Sequence, residues 1–106
     1  MFTFVETKLF TRLVQECLTD DEYAAVQREL IADPDAGSVI RGSGGIRKLR
    51  VAAPGRGKRG GYRLIYFVRR PKHLIWRLTI YPKNVAESIP TDVLRRIREE
   101  TDDDEN

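Results

Sequence analysis

Cysteine, histidine, tryptophan and methionine each occur once in these 106 residues. A single cysteine, Cys17, excludes an internal disulfide framework, so nothing points to an oxidising compartment. A single histidine, His73, excludes an acid–base pair of two imidazoles. No apolar run approaches the ~20 residues that a membrane span needs. The opening "MFTFVETKLF" has no basic stretch followed by a long apolar one, so no signal peptide is expected. The expectation is a soluble, cytoplasmic protein with no membrane role. Its length suits one domain, assigned here to residues 1–100, with the acidic 101–106 "TDDDEN" expected as a disordered tail.

The most telling scarcity is of one charge sign in one place. Between Arg41 and Lys83 there is no Asp or Glu, whereas thirteen of the 19 Lys and Arg lie there. All sixteen carboxylates and the other six cations lie in the flanks. Unbalanced charge repels itself, and folded surfaces normally mix signs. A one-sign block within folded structure points to a polyanionic partner, nucleic acid above all. Within it, Gly55-Arg56-Gly57-Lys58-Arg59-Gly60 formally matches G-x-G-x-x-G. That fingerprint needs a helix after it and an acid about 20 residues on. Here the strand-like "YRLIYFV" follows and the next acid is Glu87, so the dinucleotide reading fails on context.

"FTFVE" alternates as a strand does, and Leu9, Phe10, Leu13, Val14 and Cys17 then fall at helical spacing. Cys17 on that stripe reads as a small buried apolar residue. Thr19-Asp20-Asp21-Glu22 has the form of a capping box, opening a second helix with the stripe Tyr23, Val26, Leu30 and Ile31. "DPDAG" ends it. "IRKLRVA", "YRLIYFVRR" and "HLIWRLTIY" read as three strands of an antiparallel meander, with His73 in the turn "RRPKH". A last helix begins near Ser88 or Thr91, with Val93, Leu94 and Ile97 on its stripe.

Strand alternation sorts side chains onto two faces. Leu49, Val51, Leu64, Tyr66, Val68, Leu74, Trp76, Leu78 and Ile80 are expected toward the two N-terminal helices. Lys48, Arg50, Arg63, Ile65, Phe67, Ile75, Arg77, Thr79 and Tyr81 are expected on the other face. The C-terminal helix is expected over Ile65, Phe67 and Ile75.

The runs "GSGGIRKLRVAAPGRGKRGGYRLIYF" and "LTIYPKN", in this order of elements, resemble the RelE/ParE toxin superfamily over roughly residues 4 to 98, and its HigB-type branch in particular. The resemblance implies an α+β fold. In it an N-terminal strand and two helices pack on a mostly antiparallel sheet of three to four strands, with a short C-terminal helix. It also implies a toxin that cleaves mRNA in the ribosomal A site and is silenced by a helix-turn-helix antitoxin, operator DNA being reached only through their complex. Carried over residue by residue, the basic pair of a central strand falls on Lys48 and Arg50, the arginine after the glycine step on Arg63, and the cation after the last strand on Lys83, with Asn84 beside it. A tyrosine that some members use near the C-terminus has no counterpart among Tyr23, Tyr62, Tyr66 and Tyr81.

The residues themselves restrict the chemistry. Metal-assisted phosphodiester cleavage needs clustered carboxylates or imidazoles, and the basic block holds none of the former and one of the latter. No metal or other cofactor is therefore expected. What remains is attack by the RNA's own 2′-hydroxyl. Arginine stabilises phosphorane charge well and transfers protons badly, which assigns Arg50 and Arg63 to the phosphate. Lysine can act as a base when neighbouring cations favour its neutral form, which makes Lys48 the candidate. Lys83 or Tyr81 is then the acid at the 5′-oxygen. Arg47, Arg77 and Asn84, with Arg56, Lys58 and Arg59 of the glycine-rich arm, are expected to bind RNA or the ribosome. Two other readings stay open: a ParE-like poison of DNA gyrase, and an RNA-binding module without catalysis.

Overall fold

The computed structural model describes residues 2–52, 61–84 and 89–104. Three helices pack on a five-stranded mixed sheet. Strand β1 (Thr3–Glu6) leads into helix α1 (Lys8–Cys17) and helix α2 (Asp20–Ala32). Strands β2 (Ser38–Val39), β3 (Arg47–Val51), β4 (Tyr62–Arg69) and β5 (Leu74–Pro82) follow, then helix α3 (Thr91–Asp104). The strand order is β1-β5-β4-β3-β2, antiparallel except that β1 runs parallel to β5. The fifth strand beyond the expected three to four is β2, which at two residues is too short to leave a periodic trace.

Both N-terminal helices start on threonine. Thr7 Oγ1 accepts from the Phe10 N–H at 3.0 Å, satisfying one of the free donors of α1. Thr19 and Glu22 form the expected capping box: Thr19 Oγ1 accepts from Glu22 N (3.1 Å), and Glu22 Oε1 from Thr19 N (2.8 Å). Phe10, Val14, Cys17, Val26 and Leu30 are buried against one face of the sheet, as their spacing predicts. Ile31 is not; it stands exposed at the end of α2.

The sheet separates two cores. Leu49, Val51, Tyr62, Leu64, Tyr66, Ile75 and Ile80 meet α1 and α2. Ile46, Ile65, Phe67, Trp76 and Leu78 meet Leu94 of α3. Burying Leu94 there stabilises the docking of α3 by roughly 1.5–3 kcal/mol.

The alternation expected of β4 holds throughout, while that of β5 fails at one point. Ile65 is paired with Thr79 but Tyr66 with Arg77, so Leu78 is an extra residue in a β-bulge. Every residue of β5 before the bulge is thereby turned to the face opposite the one its parity predicts. Leu74, Trp76 and Leu78 pack with α3 rather than with α1 and α2, and Ile75 moves the other way. Thr7 anchors the irregularity: its hydroxyl donates to the Leu78 carbonyl (2.7 Å) and its N–H to that of Arg77 (3.2 Å).

The stretch expected as a disordered tail is in part helix, since α3 runs to Asp104. Thr101 is buried and its hydroxyl donates to the Arg98 carbonyl at 2.5 Å, so the last turn is docked rather than free. Among the described residues no helix is long and apolar enough to cross a membrane.

Candidate nucleic-acid interface

On the α3 side of the sheet, the residues of β3, β4 and β5 stand in lateral rows. Arg50 is opposite Arg63, and Arg63 opposite Tyr81, so these three form one row across three strands. The next row is Lys48, Ile65 and Thr79. Directly opposed side chains have Cβ atoms roughly 4.5–5.5 Å apart and diagonal ones about 7–8 Å, so Lys48 and Arg63 are near neighbours. Opposed like charges destabilise a sheet. A fold that sets Arg50 against Arg63 gains nothing in stability from doing so.

Burial sets the row's character. Arg63 is only 6 % exposed, and its Nη1 donates to the Tyr62 carbonyl at 3.2 Å, which fixes the guanidinium. Tyr81 is half-buried beside it. Burial pushes the Tyr81 hydroxyl above its ordinary pKa, and the Arg63 charge pulls the other way. Lys48 is half-buried and Arg50 exposed; neither side chain makes a hydrogen bond or ion pair among the described residues. Lys83 and Asn84 are exposed just past β5, and the Lys83 N–H donates to the Gly61 carbonyl at 3.1 Å. That bond brings Lys83 to the start of β4, one residue from Tyr62. The sequence thus foresaw Lys48, Arg50, Arg63, Tyr81 and Lys83 as one set, and the fold gathers all five at one end of the sheet.

Gly61 is what lets β4 begin there. Its φ is +63°, and a Cβ on it would lie 2.1 Å from the Val51 carbonyl oxygen. Only glycine fits between β3 and β4 at that point.

Two of the expected RNA-binding cations are engaged elsewhere. Arg77, moved by the bulge, stands on the α1–α2 side and is 3 % exposed. Its guanidinium lies over the rings of Phe4 (4.5 Å), Tyr23 (5.0 Å) and Phe10 (5.5 Å), pairs with Glu6 at 3.4 Å and donates to the Tyr23 hydroxyl. Glu6 also accepts from Tyr23 (2.5 Å) and Thr11 (2.6 Å). Burial raises the Glu6 pKa, but these hydrogen bonds and the Arg77 charge outweigh it and hold the carboxyl below its ordinary value. Arg77 is a structural cation, and the expectation that it faces RNA is corrected. Arg47 has the parity of Leu49 and Val51; it donates to the carbonyls of Gly37 (2.7 Å) and Asp35 (3.2 Å) and pairs with the Asp35 carboxylate at 3.3 Å. Arg56, Lys58 and Arg59 lie outside the described residues.

One neighbour was not legible in the sequence. A groove of about 450 Å³ along the outer edge of β3 is lined by Lys48, Leu49 and Arg50 and also by Glu29, Ala36 and Ser38. The basic block is free of acid along the chain, yet in space α2 brings Glu29 to its edge. Among the described residues no three His, Cys, Asp or Glu gather as a metal site would require.

Comparison with known proteins agrees with this architecture. The family model described as "RelE toxin of RelE / RelB toxin-antitoxin system" matches residues 3–103. A free-state structure of E. coli toxin RelE, with two arginines replaced by alanine, is 16 % identical. The match covers 92 % of this chain and 96 % of that one, with a TM-score of 0.63. The archaeal RelE–RelB complex from Pyrococcus horikoshii is 20 % identical over 80 % of this chain and 98 % of that one, with a TM-score of 0.56.

Proposed function

The chain belongs to the RelE toxin family, and on that premise we propose that it is a cytoplasmic, ribosome-dependent mRNA endonuclease of the HigB-type branch. The supporting observation is the row Arg50–Arg63–Tyr81, with Lys48 diagonal to it, on the α3 side of the sheet. In the proposed reaction Lys48 is the base that takes the proton of the 2′-hydroxyl, and the 2′-oxygen bonds to phosphorus. Arg63 and Arg50 hold the non-bridging oxygens as charge accumulates on them. The bond from phosphorus to the 5′-oxygen breaks, and that oxygen takes a proton from Tyr81 or Lys83. The products are a 2′,3′-cyclic phosphate and a 5′-hydroxyl, and no metal takes part. Asn84 and the arm cations Arg56, Lys58 and Arg59 follow the RNA or ribosomal backbone. The silencing partner is a helix-turn-helix antitoxin, through which alone the pair meets operator DNA; a neighbouring gene for such a protein should rescue growth when co-expressed.

The test is a ribosome-bound message with one 2′-deoxy nucleotide at the cleaved position. Cleavage should stop while binding persists, and a chelator should change nothing. Arg63→Ala should lower the rate roughly 10²–10³-fold, the usual loss for one preorganised charge on an oxyanion. Cleavage of the deoxy substrate, or a need for divalent metal, would overturn the mechanism.

A further inference from the structure

The turn between β2 and β3, "RGSGG" from Arg41 to Gly45, is not used by the reaction just described. Gly42, Gly44 and Gly45 have φ of +76°, +80° and +98°, while Ser43 between them does not turn left-handed. Ser43 holds the turn from within: its hydroxyl donates to the Ile40 carbonyl (2.6 Å) and accepts from the Ile46 N–H (3.0 Å). A side chain at Gly45 would meet nothing within 4 Å, so glycine there serves the backbone angle and not a tight space. The φ sign alternates from Gly42 through Ser43 to Gly44 and stays left-handed at Gly45. This is a turn conformation of the kind whose N–H groups form anion-binding concavities, although the Ser43 N–H itself donates to the Ile40 carbonyl at 3.3 Å. The N–H groups of Gly42, Gly44 and Gly45 find no backbone acceptor among the described residues, and all three glycines are exposed.

A cation faces them. Arg98 of α3 reaches the turn, with Nη1 3.3 Å from where a Cβ on Gly44 would stand. Its guanidinium is held over the Phe67 ring at 5.2 Å, and its buried Nε has no hydrogen-bond partner. No carboxylate pairs with Arg98 among the described residues. Arg41, exposed, opens the turn.

We infer that Arg98, Arg41 and the glycine N–H groups form a second anion site, which takes a phosphate group. It lies on the same side of the sheet as Arg50 and Arg63 but beyond the other end of β3. From Ile46 to Arg50 is roughly 13 Å at strand spacing, too far for one phosphate to touch both places. That the anion is a phosphate of an RNA backbone rests on the function proposed above; that the site binds phosphate does not. The two ends of β3 then hold two points of one strand and set its direction across the sheet.

The test uses amide NMR of the intact chain, titrated first with inorganic phosphate and then with a single-stranded oligonucleotide made uncleavable by 2′-deoxy substitution. Phosphate should shift the amides of Gly44 and Gly45. Arg98→Gln should weaken that binding by about tenfold or more, and Arg98→Lys should restore part of it. Arg41→Gln, a change at an exposed position that leaves α3 untouched, should also weaken it. With the oligonucleotide, each of these losses should flatten the slope of log affinity against log salt by about 0.7. Glycine amides that do not respond to phosphate, or a response unchanged in both Arg98→Gln and Arg41→Gln, would overturn the inference even if RNA cleavage were established. A turn that responds to phosphate in a chain that ignores the oligonucleotide would keep the site and remove the RNA reading.

Discussion

Replacing Arg77 by alanine separates the surface role its sequence suggests from the buried role its surroundings give it. The guanidinium is desolvated among three rings, a setting in which cation–π attraction contributes about 2 kcal/mol. Truncation also leaves a void between β5 and α1, and large-to-small core changes cost about 2–5 kcal/mol. Removing one partner of a fully buried ion pair would add several kcal/mol, but Glu6 is 25 % exposed and can rehydrate, so that part is only about 1 kcal/mol. These effects overlap, and the expected loss is about 3–4 kcal/mol, a large share of a small domain's stability. For a chain of this size it corresponds to a fall in Tm of roughly 10–20 °C. Thermal unfolding of Arg77→Ala and Arg77→Met checks it. The methionine variant keeps much of the packing and should lose less. A second measurement, oligonucleotide binding at a temperature where both variants are folded, should match the wild type. An unchanged Tm together with weakened RNA binding would refute the argument and return Arg77 to the surface.

Three further outcomes are expected. Gly61→Ala puts a side chain on a left-handed backbone and in collision with the Val51 carbonyl, so it should break the β3–β4 pairing beside Arg63 and lower the unfolding free energy measured in urea by more than the ~1–3 kcal/mol of backbone strain alone; an unchanged midpoint would contradict the described strand start. Tyr66→Phe removes the hydroxyl that accepts from the buried Gly37 N–H (2.9 Å) and donates to the Pro34 carbonyl (2.8 Å), and should cost about 1–3 kcal/mol by denaturant unfolding. Glu6 has a lowered pKa in the folded chain, so its contribution is complete above the unfolded value of about 4.3 and disappears as pH falls through the folded one. Glu6→Gln should therefore be less stable than the wild type at neutral pH and converge on it in acid, and parallel pH–stability curves would show that Glu6 does not titrate with folding.

That the candidate residues share one face was legible because β4 alternates without a break. Arg63, Ile65 and Phe67 share a face in the sequence and in the fold, and Lys48 and Arg50 follow from the adjacent antiparallel register. The capping box was legible because it is written within four residues. The inward turn of Arg77 was not, because a bulge is an agreement between two strands. Nothing in "HLIWRLTIY" alone marks Leu78 as the extra residue. The hint lay far away: a lone acid in "FTFVE", placed by parallel pairing opposite Arg77. Composition misled at the C-terminus, where the acids of "TDDDEN" concealed that Thr101 docks. It was silent about Glu29, which reaches Lys48 and Arg50 only through the packing of α2.

The parallel pairing of β1 with β5 also governs how the chain can fold. The Thr7–Leu78 hydrogen bond joins residues 71 apart, and among the described residues β1 pairs with no other strand. Contacts of such separation close late, because the loop entropy must be lost before they are gained. During synthesis β1 and both N-terminal helices leave the ribosome well before the strand that will hold them. Tyr81 and the start of β4 come together only once that strand has arrived. The cationic row therefore cannot be complete before β5 has been made.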